Sequence, residues 1–166
     1  MTDKFENYPF KEFRTYLKNL RTDSGRIQYD DINLMDVYGI APWIYVLDVG
    51  YESSIATFTF RFVGTGMCTR LGFDPTGKRI NDLASERVYN AYCNIINTGR
   101  PHVLSMIRSV DSAENFSYKK AQTNCLIRLA YPTFSSNNKI DKIIGVGQFI
   151  SLDDPETDQS YEFVRD

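Results

Sequence analysis

One segment, from Thr57 to Leu83, restricts what this chain can fold into more than any other. It begins with phenylalanines at every second position, which alternate with threonines and one arginine. A period of two predicts a β-strand with a single apolar face. Two glycines then bracket Thr65, and we expect their backbone freedom to allow a sharp exit from the sheet. Met67 and Leu71 follow at helical spacing, so the segment predicts a strand, a turn and a helix. The alternating phenylalanines are Phe58, Phe60 and Phe62.

Composition predicts a single soluble domain. The chain has 166 residues, of which 42% are hydrophobic and 24% charged, as in ordinary globular proteins. Its 19 basic and 21 acidic residues give a net charge of −2 with no basic cluster, so we expect no nucleic-acid partner. The sequence contains no secretory signal pattern and no run of about 18 apolar residues. We therefore expect a cytoplasmic protein without a membrane partner.

An amphipathic helix is predicted between Tyr8 and Arg21. Its apolar side chains recur at helical intervals, and the Asp23–Gly25 segment is a stop signal. The apolar stripe has two interpretations of equal weight. It either folds back over the chain's own sheet, or it pairs with a second copy to form a homodimer. Residues 1–29 are accordingly predicted to form an N-terminal helix and its linker. The stripe consists of Phe10, Phe13, Leu17 and Leu20.

The remaining segments predict an α+β fold with a five-stranded antiparallel sheet. Two strands precede a helical insert, and three strands follow it. Ser85 is a candidate N-cap for a helix from Glu86 to Asn97, which Gly99 would end. A short helix is expected over Asp31–Val37, and an acidic tail over residues 152–166. The polar segment Gly50–Thr57 is expected to be a hairpin connection that pairs the first two strands antiparallel. Besides the phenylalanine strand, the predicted strands are Trp43–Val49, His102–Val110, Ser117–Tyr131 and Lys139–Ser151.

Four stretches together resemble the PAS family, and most closely its short stand-alone bacterial members. They are Arg61–Thr65 (RFVGT), Leu71–Gly77 (LGFDPTG), Arg128–Pro132 (RLAYP) and Ile144–Gly147 (IGVG). The resemblance covers about residues 30–151. It implies a sensory or regulatory module that signals through contact with another, unidentified protein, because no output domain is attached.

Neither a cofactor, a metal nor a catalytic residue is expected. Cys68, Cys93 and Cys125 are far apart, which favours reduced thiols packed as small hydrophobic groups. His102 is the only histidine, so a metal site lacks its usual ligands. PAS domains that hold haem usually place a histidine on the helical insert, and this chain has none there. Cys68 lacks the neighbours of the flavin-binding cysteine of light-sensing relatives.

Charged residues interrupt several predicted strands and allow two interpretations. Arg61 or Arg128 could pair with Asp48 on the solvent face of the sheet, where such pairs contribute little stability. Alternatively, one arginine points into the interior and holds a carboxylate ligand through two hydrogen bonds. Strict alternation would place Arg61 opposite to Phe60 and Phe62. A fourth charged residue of this kind is Arg108.

The leading functional hypothesis is a non-enzymatic sensory module that binds a small, largely apolar molecule between the sheet and the helices. The alternative fills the same space with protein side chains and leaves a ligand-free interaction or dimerisation module. A small α+β enzyme is a weaker third hypothesis. The predicted ligand-binding residues are Phe60, Phe62, Met67, Leu71, Tyr92, Met106, Asn124 and Ile127.

Overall fold

The structure is a computed structural model that describes residues 7–109 and 123–151. Three short 3₁₀ turns, Tyr29–Asp31, Leu34–Val37 and Ala41–Trp43, connect the first helix to the first strand. In the described part of the chain, no helix is long and apolar enough to cross a membrane. The helices are α1 (Phe10–Asn19), α2 (Thr65–Leu71), α3 (Ile80–Leu83) and α4 (Glu86–Thr98); the strands are β1 (Ile44–Glu52), β2 (Ile55–Val63), β3 (His102–Ser109), β4 (Thr123–Phe134) and β5 (Ile140–Ser151).

The five strands form one antiparallel sheet in the order β2-β1-β5-β4-β3. Helices α2, α3 and α4 lie in the chain between β2 and β3. The predicted α+β class, the five-stranded sheet and the position of the helical insert are therefore confirmed. The last strand in sequence lies at the centre of the sheet, where it joins the first hairpin to the β3–β4 pair.

One local prediction is confirmed with tighter bounds, and another differs from the structure. The hairpin expected at Gly50–Thr57 is formed and its strands pair antiparallel, but it is tighter than the polar segment, because β1 and β2 continue to a two-residue turn at Ser53 and Ser54. Both serines have positive φ values, 48° and 68°, as a tight hairpin of this type requires. The polarity of the segment reflects the exposed end of a hairpin. The helix expected over Asp31–Val37 is divided between two of the 3₁₀ turns, and the first part of the predicted strand Ser117–Tyr131 lies outside the described residues.

The sheet separates two buried clusters. The face covered by α2, α3 and α4 is called the inner face, and the face covered by α1 is called the outer face. Phe10, Phe13 and Leu17 of α1 are almost fully buried on the outer face. The inner cluster includes Tyr45, Leu47, Phe58, Phe60, Met67, Tyr92, Leu104, Leu126, Ala130 and Ile143; the outer cluster includes Ile27, Ile44, Val46, Ile127, Leu129, Tyr131, Ile144 and Val146.

A β-bulge at Arg61 breaks the alternation of β2. Val46 of β1 pairs with Phe62, but the next residue, Leu47, pairs with Phe60. Arg61 is therefore an extra residue without a partner on β1, and an extra residue reverses the faces beyond it. Phe60 packs in the inner cluster, whereas Phe62 packs against the outer cluster. The prediction that both phenylalanines share one face is wrong for this reason.

The turn after β2 depends on Gly64, although for a different reason from the one expected. Its φ and ψ are −63° and 149°, which any residue can adopt. A Cβ atom at this position would instead overlap the backbone carbonyls of Ala41 and Pro42. Gly64 thus allows the start of α2 to lie against the segment that leads into β1, and it sets the position of α2 over the inner face.

Candidate ligand site on the inner face

Arg128 lies in the middle of β4 with its side chain on the inner face. Its cross-strand neighbours are Leu104 on β3 and Gly147 on β5. The residue is only 6% exposed, and among the described residues it is the one charged side chain that is buried. Burial of a guanidinium is unfavourable unless it is paired and hydrogen-bonded. Arg128 and its surroundings therefore form the candidate functional site.

One nitrogen of Arg128 is held by a chain of two tyrosines. Nη1 donates to the Tyr92 hydroxyl at 3.2 Å, and that hydroxyl donates to the Tyr45 hydroxyl at 3.0 Å. The guanidinium carbon also lies 5.8 Å from the centre of the Tyr92 ring, within the range of a cation–π contact. Tyr92 comes from α4 and Tyr45 from β1. The helical cover and the sheet thus fix the orientation of the arginine together.

The other two nitrogens of Arg128 have no partner among the residues that the structure describes. Nε and Nη2 are buried and make no hydrogen bond within the described part of the chain. A buried donor without an acceptor costs about 1–3 kcal/mol, and more when it is charged. Most buried polar groups in proteins are satisfied, so an exception calls for a physical reason. A bound molecule that supplies acceptors is one such reason.

Tyr45 is fitted into the sheet by a glycine. The residue is almost fully buried, and a Cβ at Gly145 of β5 would overlap its ring. Burial raises the pKa of Tyr45 well above its usual 10; the neighbouring Tyr92 adds to this, and Arg128 opposes it. At neutral pH the phenol of Tyr45 is therefore protonated. It accepts the bond from Tyr92 and carries no negative charge that would neutralise Arg128.

Arg61 shows the contrasting arrangement. Its Nε donates to Oδ1 of Asp48 at 2.7 Å, and both side chains are substantially exposed. The solvent-face pair considered from the sequence is thus formed by Arg61, while Arg128 takes the inward orientation of the alternative interpretation. The side chain of Arg108 is not among those described.

A groove of about 300 Å³ lies beside this site, between α4 and the edge strand β3. Leu104 belongs to the groove and is also the cross-strand neighbour of Arg128. Burial lowers the pKa of His102, so this imidazole is neutral at pH 7. The groove combines an apolar floor with polar side chains on its rim. Its lining residues are Arg87, Asn90, Ala91, Asn94, His102, Val103, Leu104 and Ser105.

The structure brings together only part of the predicted ligand-binding set. Phe60, Met67 and Tyr92 belong to the inner cluster. Phe62 and Ile127 lie on the outer face, the first because of the bulge and the second because it alternates with Leu126 and Arg128 along β4. Leu71 is partly exposed at the end of α2 and belongs to neither cluster. The side chains of Met106 and Asn124 lie outside the described part.

The sequence interpretation missed Tyr45 and Gly145 as parts of the site. A tyrosine in an apolar strand carries no signal of its own, and its contact with a glycine 100 positions later depends on the register of β1 with β5. The sequence segment that could have indicated Tyr45 and Gly145 is Ile144–Gly147, a strand interrupted by glycines. Glycines inside a strand often mark a close approach by another group.

The described cysteines do not resemble reactive or metal-binding groups. Cys68 and Cys93 are free thiols, and burial raises the pKa of Cys68, which disfavours the nucleophilic thiolate. Within residues 7–109 and 123–151, no group of three or more His, Cys, Asp or Glu side chains could hold a metal ion. The side chain of Cys125 is not described.

Comparison with known proteins identifies the fold. No protein-family model matches the sequence, and no curated protein matches it. Among solved structures, a light-oxygen-voltage domain studied with a flavin analogue is similar, with a TM-score of 0.52, 13% identity, and coverage of 74% of this chain and 88% of that chain. The light state of the blue-light photoreceptor Aureochrome1 LOV gives a TM-score of 0.49 with 13% identity, over 74% of this chain and 91% of that chain. Light-oxygen-voltage domains belong to the PAS superfamily.

This chain has a PAS-like fold. The resemblance noted in the sequence is thereby confirmed at the level of the fold, and these low identities carry no further conclusion. In the PAS-like domain, the central sheet and its helical insert enclose the interior from two sides. Arg128 lies on the sheet side of this interior, and Tyr92 lies on the insert side.

Proposed function

We propose that this PAS-like domain is a non-enzymatic, cytoplasmic sensory module. It binds a small, largely apolar molecule between the inner face and helices α2 to α4, and it passes the signal to another protein by contact. The observation that carries the proposal is the buried guanidinium of Arg128 with two unpartnered nitrogens. A domain built only for stability would gain by replacing such a group with an apolar side chain.

The apolar character of the ligand follows from the walls around Arg128. Leu104 on β3 is its cross-strand neighbour, Met67 lies over its β5 partner Gly147, and Leu126 is two residues before it on β4; all three belong to the inner cluster. Pockets for small molecules are commonly lined by apolar groups with a few polar groups that fix orientation. In this site the guanidinium and the two phenols would provide that orientation.

Binding also suits these polar groups better than catalysis does. Tyr45 holds its proton at neutral pH because its pKa is raised by burial, so it is a poor general base. Arg128 is a cationic donor. Both groups can position an acceptor without transferring a proton.

Signal transfer would use α4. This helix carries Tyr92, which contacts Arg128, and it also forms one wall of the groove beside β3. A ligand that binds Arg128 would either compete with Tyr92 for the guanidinium or strengthen the hydrogen bond between Arg128 and Tyr92. Either change would alter the packing of α4. A change in α4 would be visible at the surface of the domain, where a partner protein can detect it.

Native mass spectrometry tests the proposal. Freshly purified full-length protein is compared with the same sample after denaturation, and a mass retained only under native conditions supports a bound molecule. A thermal-shift screen with fatty acids, aromatic compounds and nucleotides extends the test to ligands that are lost during purification. A bare native mass together with no shift from any compound would contradict the proposal.

A ligand-free interaction module is the second candidate, and exposed apolar side chains favour it. Met35 and Tyr38 are 74% and 76% exposed on the turn that contacts α1, where Tyr8 donates to the carbonyl of Gly39 at 2.8 Å. The apolar stripe of α1, which the sequence offered as a dimer contact, is buried on its own sheet. A homodimer would therefore use this exposed turn instead of the stripe.

Sedimentation equilibrium of a Met35→Ser/Tyr38→Ser variant tests the dimer. Substitution is sharper than deletion of α1, since deletion would expose the outer cluster. We expect a dimeric wild type and a monomeric variant, with Tyr51→Ser as a control at another exposed site. Equal masses for wild type and variant would remove this turn from any interface.

A further inference from the structure

We propose that the ligand of this domain is a carboxylate on an apolar body and that Arg128 is the residue that binds its carboxylate. This inference rests on the proposed function and adds the chemical class of the ligand. It follows from which nitrogens of Arg128 are occupied, from what lies around them, and from where the adjoining groove begins.

The two unpartnered nitrogens are the pair that a carboxylate needs. Nε and Nη2 lie on one edge of the planar guanidinium, and their N–H groups point in parallel. A carboxylate can accept both bonds at once, which is the strong two-point geometry of arginine–carboxylate pairs. Tyr92 occupies Nη1, which lies away from that edge. The arginine is therefore anchored by one nitrogen and open at the edge suited to an anion.

The described part of the chain places no anionic side chain at this position. Among the described residues, the buried side chains around Arg128 are uncharged. Tyr45 and Tyr92 contribute hydroxyls, and the pKa of Tyr45 is raised by its burial. Arg61, in contrast, has Asp48 at 2.7 Å. Exposed Arg61 is thus satisfied by a carboxylate, whereas buried Arg128 has none among the described residues.

The groove lies on the β3 side of this arginine. On the β5 side its partner is Gly147, and Met67 fills the space above that glycine, because a Cβ there would approach the Met67 sulfur to 2.8 Å. Its partner on β3 is Leu104, which also lines the groove between α4 and the sheet edge. Adjacent strands are only about 4.8 Å apart, so the groove begins one strand from Arg128. An apolar body could lie along Leu104 while its carboxylate reaches the guanidinium.

Matched pairs of ligands test the inference on the full-length protein. Octanoate and phenylacetate are compared with octanamide and phenylacetamide, which have the same bodies without the charge, by isothermal titration calorimetry. We expect each acid to bind wild type about tenfold to 100-fold more tightly than its amide. Arg128→Met should abolish this preference, Arg128→Lys should retain part of it, and Arg61→Met should leave it unchanged.

The outcomes separate this inference from the proposed function. Equal binding of acid and amide to wild type, or an acid preference that survives in Arg128→Met, would overturn the carboxylate inference and leave a ligand-binding domain. Failure of all four compounds to bind, with a bare native mass, would overturn both. The comparison of acid with amide in wild type decides the matter even if Arg128→Met does not fold.

Discussion

The two faces of the sheet are built on different principles. The outer face is closed by α1, whose Phe10, Phe13 and Leu17 pack on aliphatic and aromatic side chains; for example, the Phe13 ring meets Tyr131 edge to face at 6.0 Å. The inner face is also mostly apolar, but it contains a buried guanidinium, two linked phenols and two glycines in contact with side chains. The outer face is an ordinary apolar core, whereas the inner face carries the polar groups on which the proposed ligand binding rests.

Under the proposed function, the outer face supplies stability and the inner face supplies binding. Apolar packing on the outer face contributes free energy of folding without any further requirement. On the inner face, two buried donors of Arg128 have no acceptor among the described residues, which lowers the free energy of unfolding. The following four predictions challenge this division, beginning with the largest effect.

Truncation of Phe13 should be the most damaging substitution. Phe13→Ala removes a fully buried ring from the outer cluster, and such changes typically lower the free energy of unfolding by about 3–5 kcal/mol. Urea denaturation followed by circular dichroism measures the loss. Glu12→Ala on the exposed side of α1 is the control and should change stability by less than about 0.5 kcal/mol. Similar losses for both variants would mean that α1 is not packed as described.

Replacement of Arg128 should have the opposite sign in the ligand-free protein. Arg128→Met removes a buried, half-satisfied charge, and we expect the free energy of unfolding to rise by about 1–4 kcal/mol. The measurement is urea denaturation of protein whose native mass is bare. Arg61→Met serves as the exposed control. A loss of several kcal/mol in Arg128→Met would indicate an internal partner for the guanidinium and would remove the contrast between the faces.

Tyr45 should make the stability sensitive to alkaline pH. Its pKa in the folded state is raised above the usual 10, chiefly by burial, so the folded protein retains a proton that the unfolded chain releases. Its contribution is complete below pH 10 and is lost as the pH rises towards the folded pKa.

Tyr45→Phe should flatten this alkaline decline, at a cost of about 1 kcal/mol at pH 7 from the lost hydrogen bond. Melting temperatures between neutral and strongly alkaline pH measure both effects, with Tyr38→Phe at an exposed position as the control. An equal decline in wild type and Tyr45→Phe would show that this phenol is accessible to solvent.

The exposed pair of Asp48 and Arg61 should contribute least. Both side chains are accessible to solvent, so Asp48→Asn should lower the free energy of unfolding by only about 0–1 kcal/mol, and high salt should reduce the difference. Urea denaturation at low and high ionic strength measures it. If Asp48→Asn lowered the free energy of unfolding by more than this, and equally at low and high salt, the surface pair would matter for stability as much as the buried clusters do.

Much of the fold could be predicted from local patterns. Each of three features can be recognised within a single segment. They are the helical spacing of apolar residues in α1, the period of two in β2, and the glycine that ends α4 at Gly99. The order of these elements then restricts the architecture to very few arrangements. The helix expected over Glu86–Asn97 extends over Glu86–Thr98 in the structure.

The site was harder to predict, because it depends on which face each residue occupies. One extra residue at Arg61 moves Phe62 to the outer face. The local sequence pattern of β2 does not indicate this bulge. The inward orientation of Arg128 follows from the register of β4 with two neighbours. The contact of Tyr45 with Gly145 requires the β1–β5 pairing. Residue types suggested an arginine that clamps a carboxylate, but only the pairing of strands selected Arg128.

The most direct test of the account compares the two arginines in one experiment. A nitrogen–proton correlation spectrum resolves the Nε–H groups of arginine side chains, and selective substitution assigns Arg61 and Arg128. Arg61 Nε already donates to Asp48 at 2.7 Å, whereas Arg128 Nε has no partner among the described residues. The account predicts that octanoate shifts the Arg128 signal strongly downfield, that octanamide does not, and that the Arg61 signal stays in place. Bound octanoate with an unchanged Arg128 signal would contradict the central claim.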